Sequence, residues 1–159
     1  MDSLVVPSLD TLRLWLDEMG MNFFECDTCQ ALHLPHMQNF EGVFDAKIDL
    51  IDNVVLFSAL AEVKPSALLA LGADLSAINA SSLTVKAFLD MQDDNLPKLV
   101  VCQSLSAGVG VTFEQFAAFV TQSEEQVSMV ILEANAHQLL YKPEDEEQPP
   151  EDIQYHFLH

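Results

Sequence analysis

Residues 44 to 63 constrain the fold more than any other stretch. From Phe44 the side chains alternate strictly, with Phe44, Ala46, Ile48 and Leu50 apolar and Asp45, Lys47 and Asp49 polar. Successive side chains of a strand point to opposite faces, so this period of two predicts a strand with one face buried. Asp52-Asn53 is a turn signal, and Val54 to Val63 follows as an apolar run with enough β-branched residues to read as a more buried strand antiparallel to the first. A hairpin of this kind has an apolar side that other elements must cover.

The flanking segments supply the cover. Ser8 is placed to cap a helix over 8–20, with Leu9, Leu12, Leu16 and Met19 at helical spacing, Trp15 widening the face, and Gly20 as a left-handed stop. Asp10, Arg13 and Asp17 form its solvated face. Short runs over 22–26 and 30–34, around Asp27-Thr28, read as two strands, followed by a turn at 39–42 beyond Pro35. Pro65 opens a second helix carrying Leu68, Leu71, Leu75 and Ile78 on one face, weakened by Gly72 and ended by Asn79 to Ser82. Runs over 84–91 and 99–105 bracket the turn formers Asp93 to Pro97 as a second hairpin, closed by Gly108 and Gly110. Thr112 and Gln115 have capping-box spacing ahead of a long final helix whose face runs from Phe113 to Ala134, with Ser123 as the point where it could break.

The expected order is therefore α-β-β-β-β-α-β-β-α. No strand, crossover helix and parallel strand recurs, so the fold class is α+β: one antiparallel sheet with helices packed mainly on one face. Residues 1–142 read as a single domain. Residues 143–159, PEDEEQPPEDIQYHFLH, are acidic and proline-rich and are expected to be a disordered tail. Within it Ile153, Tyr155 and Phe157 alternate, a pattern able to add to a sheet edge or dock on a partner.

Charge narrows the function. The chain has 25 Asp or Glu against 6 Lys or Arg, a net charge of -19, and the basic residues are scattered in sequence as Arg13, Lys47, Lys64, Lys86, Lys98 and Lys142. Phosphate backbones are bound by clustered cations, so nucleic acid is not expected as a partner, direct DNA regulation being the poorest of the readings, and anionic membranes are disfavoured by the same field. Met1-Asp2-Ser3 does not read as the start of a secretory leader, so secretion is not expected, and no apolar run approaches the ~20 residues of a spanning helix. Three cysteines, Cys26, Cys29 and Cys102, suit a reducing compartment where thiols stay free, and the cytoplasm is the expected location.

One constellation has ligand chemistry. Cys26, Cys29, His33 and His36 are candidate metal ligands, because thiolate and imidazole suit tetrahedral zinc and a C-x-x-C turn presents two sulfurs together. Two features weaken it. His33 and His36 sit on either side of Pro35 and start from opposite faces of a strand, and the loop is shorter than that of a typical finger. Thiol chemistry is weakened too: the flanking carboxylates Glu25 and Asp27 are expected to disfavour a thiolate at Cys26, and a hairpin turn brings no helix dipole. Cys102 reads as core, and His137 as facing solvent or the carboxyl end of the last helix. No carboxylate stands in the apolar context of a tuned general acid, and the common hydrolase, nucleotide and metalloprotease motifs are missing. No catalytic residue, cofactor or resident metal is therefore expected, and the chain does not read as an enzyme.

From LVVPSLDTLRLWLDEMGMNFFECDTCQALHLPHMQNF through FDAKIDLIDNVVLFSALAEV, INASSLTVKAFLDMQDDNLPKLVVCQSL and EEQVSMVILEANAHQLL, the sequence closely resembles the YbjN family of enterobacterial regulators. The resemblance spans nearly the whole expected domain. It implies a cytoplasmic protein grouped with bacterial sensory transduction regulators, acting negatively on exopolysaccharide production and influencing motility, biofilm and stress or virulence programmes. It also implies a fold similar to type III secretion chaperones and action through an unidentified protein partner. It carries no catalytic residue over to any position here.

Overall fold

A computed structural model describes residues 3–92 and 95–144. The elements in chain order are α1 (Leu9–Glu18), β1 (Leu32–His33), β2 (Asp45–Ile51), β3 (Val54–Glu62), α2 (Leu68–Ser81), β4 (Lys86–Asp90), β5 (Lys98–Ser106) and α3 (Phe113–Ala136), with single 3-10 turns at Pro35–Asn39 and Pro65–Ala67. The fold is α+β, and its order follows the expected one, with the first of the four expected early strands present as a single bridged residue. The strands form one antiparallel sheet in the spatial order β1-β2-β3-β5-β4. Tail residues 145–159, including Ile153, Tyr155 and Phe157, lie outside the described residues, as do Asp93 and Asp94 of the expected connection.

The central hairpin is built as its alternation requires. Ile51 pairs with Val54, leaving Asp52 and Asn53 as a two-residue loop with φ of 50° and 61°. Both positions being left-handed matches the turn to the strand twist, a conformation that Asn and Asp tolerate. Across the sheet the rung Ala46, Ala59, Val101, Ala87 lies on one face beside the rung Ile48, Phe57, Gln103. The alanines let helices approach this face closely, and Phe57 and Ile48 are fully buried in it.

The same face receives all three helices. α3 lies across β5 and β3, α2 flanks β4, and α1 packs on α3, where the Trp15 ring meets Phe116 at 5.4 Å and Phe113 at 6.1 Å. Ser8 caps α1, and Gly20 (φ 71°) closes it in a Schellman turn, the Met21 N–H donating to the Leu16 carbonyl at 3.0 Å. Thr112 and Gln115 form the expected capping box. α3 does not break at Ser123: that hydroxyl is buried and donates to Gln103 Oε1 at 3.0 Å, while Gln103 Nε2 reaches Thr84 and Gln126. A polar residue that looks like an interruption in sequence is satisfied by the sheet beneath it.

The segment between α1 and β2 is more irregular than its short apolar runs suggest. Of the expected strand 22–26 only Phe24 pairs, exchanging both backbone hydrogen bonds with His33, and 30–34 shortens to Leu32–His33 before Pro35 turns the chain. The outer edge of β4 is likewise occupied: the Asn79 side chain accepts from the Ala87 N–H at 2.8 Å and donates to its carbonyl at 3.0 Å. Each sheet edge is thus short or capped, which blunts edge-to-edge pairing.

Candidate functional site

Two features stand apart from the core: a cysteine–histidine cluster at the β1 edge and the sheet face that no helix among the described residues covers. They adjoin, because strand alternation places His33 of β1 opposite Lys47 of β2 on the uncovered side.

The cluster is held from three directions. Phe24, bridged to His33 through the backbone, stacks its ring on the imidazole at 4.9 Å with the planes 14° apart. Arg13 of α1 clasps Glu25 in a two-pronged ion pair, Nη2 to Oε1 at 2.7 Å and Nε to Oε2 at 3.1 Å, and also contacts Asp10. Hydrogen bonding to Arg13 holds the Glu25 carboxyl below the usual range, and the same bond raises the Arg13 guanidinium. The residue beside Cys26 is thereby pinned to the first helix. The expectation that all three thiols stay free is corrected here. Cys26 and Cys29 are joined in a disulfide, because the tight turn at Asp27-Thr28 brings their Cα atoms to 5.8 Å, a span such a bond bridges. Cys102 is free and buried, and burial pushes its thiol up.

His33 completes the cluster. Its Nε2 lies 3.2 Å from Cys29 Sγ, and its Nδ1 lies 3.2 Å from both carboxylate oxygens of Asp45. A carboxylate accepts, so Nδ1 is the ring atom placed to donate to Asp45, and Nε2 is the one turned toward the sulfur. The ligand atoms of Cys26, Cys29 and His33 all lie within 4.8 Å of one another. His36 does not join them. It sits past Pro35 on the covered side, where its Nε2 meets Glu124 of α3 at 2.7 Å, as expected for a residue on the other side of the strand. Asp45 is the member that sequence reading missed. Its signal is strand register: it shares the polar face of the 44–50 alternation with Lys47, which pairs with His33.

The uncovered face is the second feature. Leu56, Ser58 and Leu60 of β3, Val100 and Cys102 of β5 and Phe88 of β4 floor a hollow of about 700 Å³. Phe88 remains 39% exposed and Ile51, at the end of β2, 53%. Lys47, Lys86 and Lys98, scattered in the sequence, are gathered here by the register of three different strands. They stand among Asp45, Asp49, Glu62 and Asp90, so this face is close to charge balance in a chain of net charge -19. Lys98 pairs with Glu62 at 3.5 Å and lies over the Phe44 ring at 5.4 Å, Lys86 lies over Phe88 at 5.5 Å, and Lys47 reaches Asp49 at 3.8 Å. His137, by contrast, caps α3 at its carboxyl end, exposed.

Among the described residues no helix is long and apolar enough to cross a membrane. The sequence pattern of the YbjN family, described as "Putative bacterial sensory transduction regulator", matches residues 8–135. YbjN of Escherichia coli K12 is 79% identical over 159 residues, covering all of both chains, and YbjN of Shigella flexneri matches to the same degree. The crystal structure of YbjN from E. coli, named there a "putative transcription regulator", superposes with a TM-score of 0.86 at 84% identity, covering 87% of this chain and 99% of that one. A family pattern that spans both helical ends of the sheet, with relatives alike from first residue to last, places this chain in the YbjN family.

Proposed function

We propose that this protein is a cytoplasmic, nonenzymatic regulator that acts by binding another protein on the uncovered face of its sheet. The observation that carries the reading is the composition of that face: an apolar floor with exposed Phe88 and Ile51 at its margin, ringed by lysines and carboxylates in near balance. An apolar centre with a mixed-charge rim is the make-up of a protein interface, whereas a phosphate backbone or anionic lipid needs clustered uncompensated cations. The fitting partner is a protein surface with an apolar centre and charges of both signs around it. Neither nucleic acid nor membrane belongs among the direct partners, so an effect on transcription would pass through that protein.

The regulatory output follows the family likeness, which within the family runs to AmyR, the YbjN-type regulator of plant-associated enterobacteria. The output is negative control of exopolysaccharide production, with effects on motility, biofilm and stress or virulence programmes. A second reading, a chaperone-like module that holds an extended peptide in the manner of type III secretion chaperones, is favoured by the same hollow. With β4 capped by Asn79 and β1 bridged by Phe24, such a peptide would lie across the face rather than extend an edge.

The test uses a strain lacking the protein, in which exopolysaccharide output rises. Wild-type chain restores repression. Phe88→Asp and Ile51→Asp, exposed enough to leave folding intact, are expected to fold and fail to restore it. Full restoration by both variants, with native circular dichroism, overturns the face as the working surface.

A further inference from the structure

We infer that Cys26, Cys29 and His33, in the reduced chain, form a zinc site whose histidine is oriented by Asp45. Around a tetrahedral zinc, with Zn–S near ~2.3 Å and Zn–N near ~2.0 Å, sulfur and nitrogen ligands stand about 3.5 Å apart. Cys29 Sγ and His33 Nε2 are already 3.2 Å apart, and all three ligand atoms fall within 4.8 Å. Reduction frees the two sulfurs to separate, and rotation about the Cα–Cβ bonds of a solvent-facing turn sets Cys26 Sγ at its own distance from the other two ligand atoms.

The orienting group is equally specific. Zinc-bound histidines characteristically donate their other ring N–H to a carboxylate, which fixes the tautomer and the ring plane. His33 has this partner in Asp45, and Phe24 stacked on its ring holds the plane. Nothing in the core explains why a nearly buried imidazole is aimed by a carboxylate at a pair of sulfurs.

Electrostatics separates a metal site from a thiol nucleophile. Asp27 and the strongly negative chain oppose an isolated thiolate, as the sequence suggests, but favour a dication that neutralises two thiolates at once. Soft sulfur with imidazole selects zinc over magnesium or calcium. Three protein ligands leave the fourth position for water or a partner's side chain, beside the uncovered face.

The chemistry balances. Two low-molecular-weight thiols reduce the Cys26–Cys29 disulfide, giving two cysteine thiols and one small-molecule disulfide. Zinc then replaces both thiol protons, forming two Zn–S bonds and one Zn–N bond and releasing two protons. Reoxidation closes the disulfide and expels the ion, so the site exists in one redox state only.

The test titrates the full chain, reduced with a phosphine and freed of metal, with zinc against a chromophoric chelator, and with cobalt(II) followed by absorption. One metal per chain is expected, with two protons released and cobalt–thiolate charge-transfer bands. Cys26→Ser, Cys29→Ser and His33→Gln lose binding. Asp45→Asn weakens it about 10–100-fold while keeping the thiolate bands. His36→Gln, whose imidazole is engaged by Glu124, binds as wild type. The air-oxidised chain takes up none. Reduced wild type that leaves zinc with the chelator overturns the site, whatever the variants do, and so does undiminished binding by a folded Cys26→Ser/Cys29→Ser double variant.

Discussion

The two faces of the sheet are made by the same strands yet have opposite chemistry. On one, Ala46, Ala59, Ala87 and Phe57 are sealed beneath α3 and its neighbours, and the polar intruders Gln103 and Ser123 satisfy each other. On the other, Val100, Cys102 and Ser58 are nearly as buried although no helix among the described residues lies above them. Their neighbours around the hollow are side chains of the same sheet, Lys47, Lys86, Leu56, Leu60 and Phe88. A buried residue is therefore no sign of a covered face. The one side is closed by helices packed on the strands, whereas the other is closed by side chains of the sheet itself.

Substitution should expose that difference. Phe57→Ala, which empties a fully buried site under α3, is expected to cost about 3–5 kcal/mol in denaturant unfolding. Phe88→Ala on the opposite face should stay within about 0.5 kcal/mol. Equal losses would erase the distinction between the faces. Ser123→Ala removes the donor to Gln103 Oε1 inside the covered side and should cost about 1–3 kcal/mol, read by the same melts.

The Cys102 thiol sharpens the comparison from the open side. Its pKa is raised first by burial, an effect that nearby Lys86 opposes, so at pH 8 its reaction with a thiol reagent should be slower than that of free cysteine. The sign of the linkage follows: this contribution to stability is present below the ordinary thiol pKa and lost as pH rises through the folded value. A partner seated on the face should slow the reaction further. The smallest effect lies away from both faces. Glu25 has a lowered pKa through Arg13, so its contribution is present above the ordinary carboxyl range and fades as pH falls through the folded value. Arg13→Ala should flatten that acid limb in pH-dependent melts, and an unchanged limb would show the clasp to be energetically idle.

Most of the architecture was legible because it is written in local periodicity. The alternation of 44–50, the Asp52-Asn53 turn, the Ser8 and Thr112 caps and the Gly20 stop all act within a few residues. Runs without a clear period misled: 22–26 became one bridged residue, because a disulfide turn and the Arg13 clasp shape that loop more than strand propensity does. Of the candidate ligands, Cys26, Cys29 and His33 meet and His36 departs, a split foreshadowed by the opposite faces of a strand. Asp45 was hidden, since twelve residues separate it from His33 and only the β1–β2 register joins them.

The sequence alone determined the alternating hairpin, the helical faces, the negative charge and the nearness of two cysteines, all consequences of spacing along the chain. Only the tertiary structure decided which side of the sheet stays open, that Lys47, Lys86 and Lys98 share it, and that Asp45 aims His33 at the sulfurs. These rest on strand register and helix placement, set by how well whole faces pack, and no local stretch of residues contains that information.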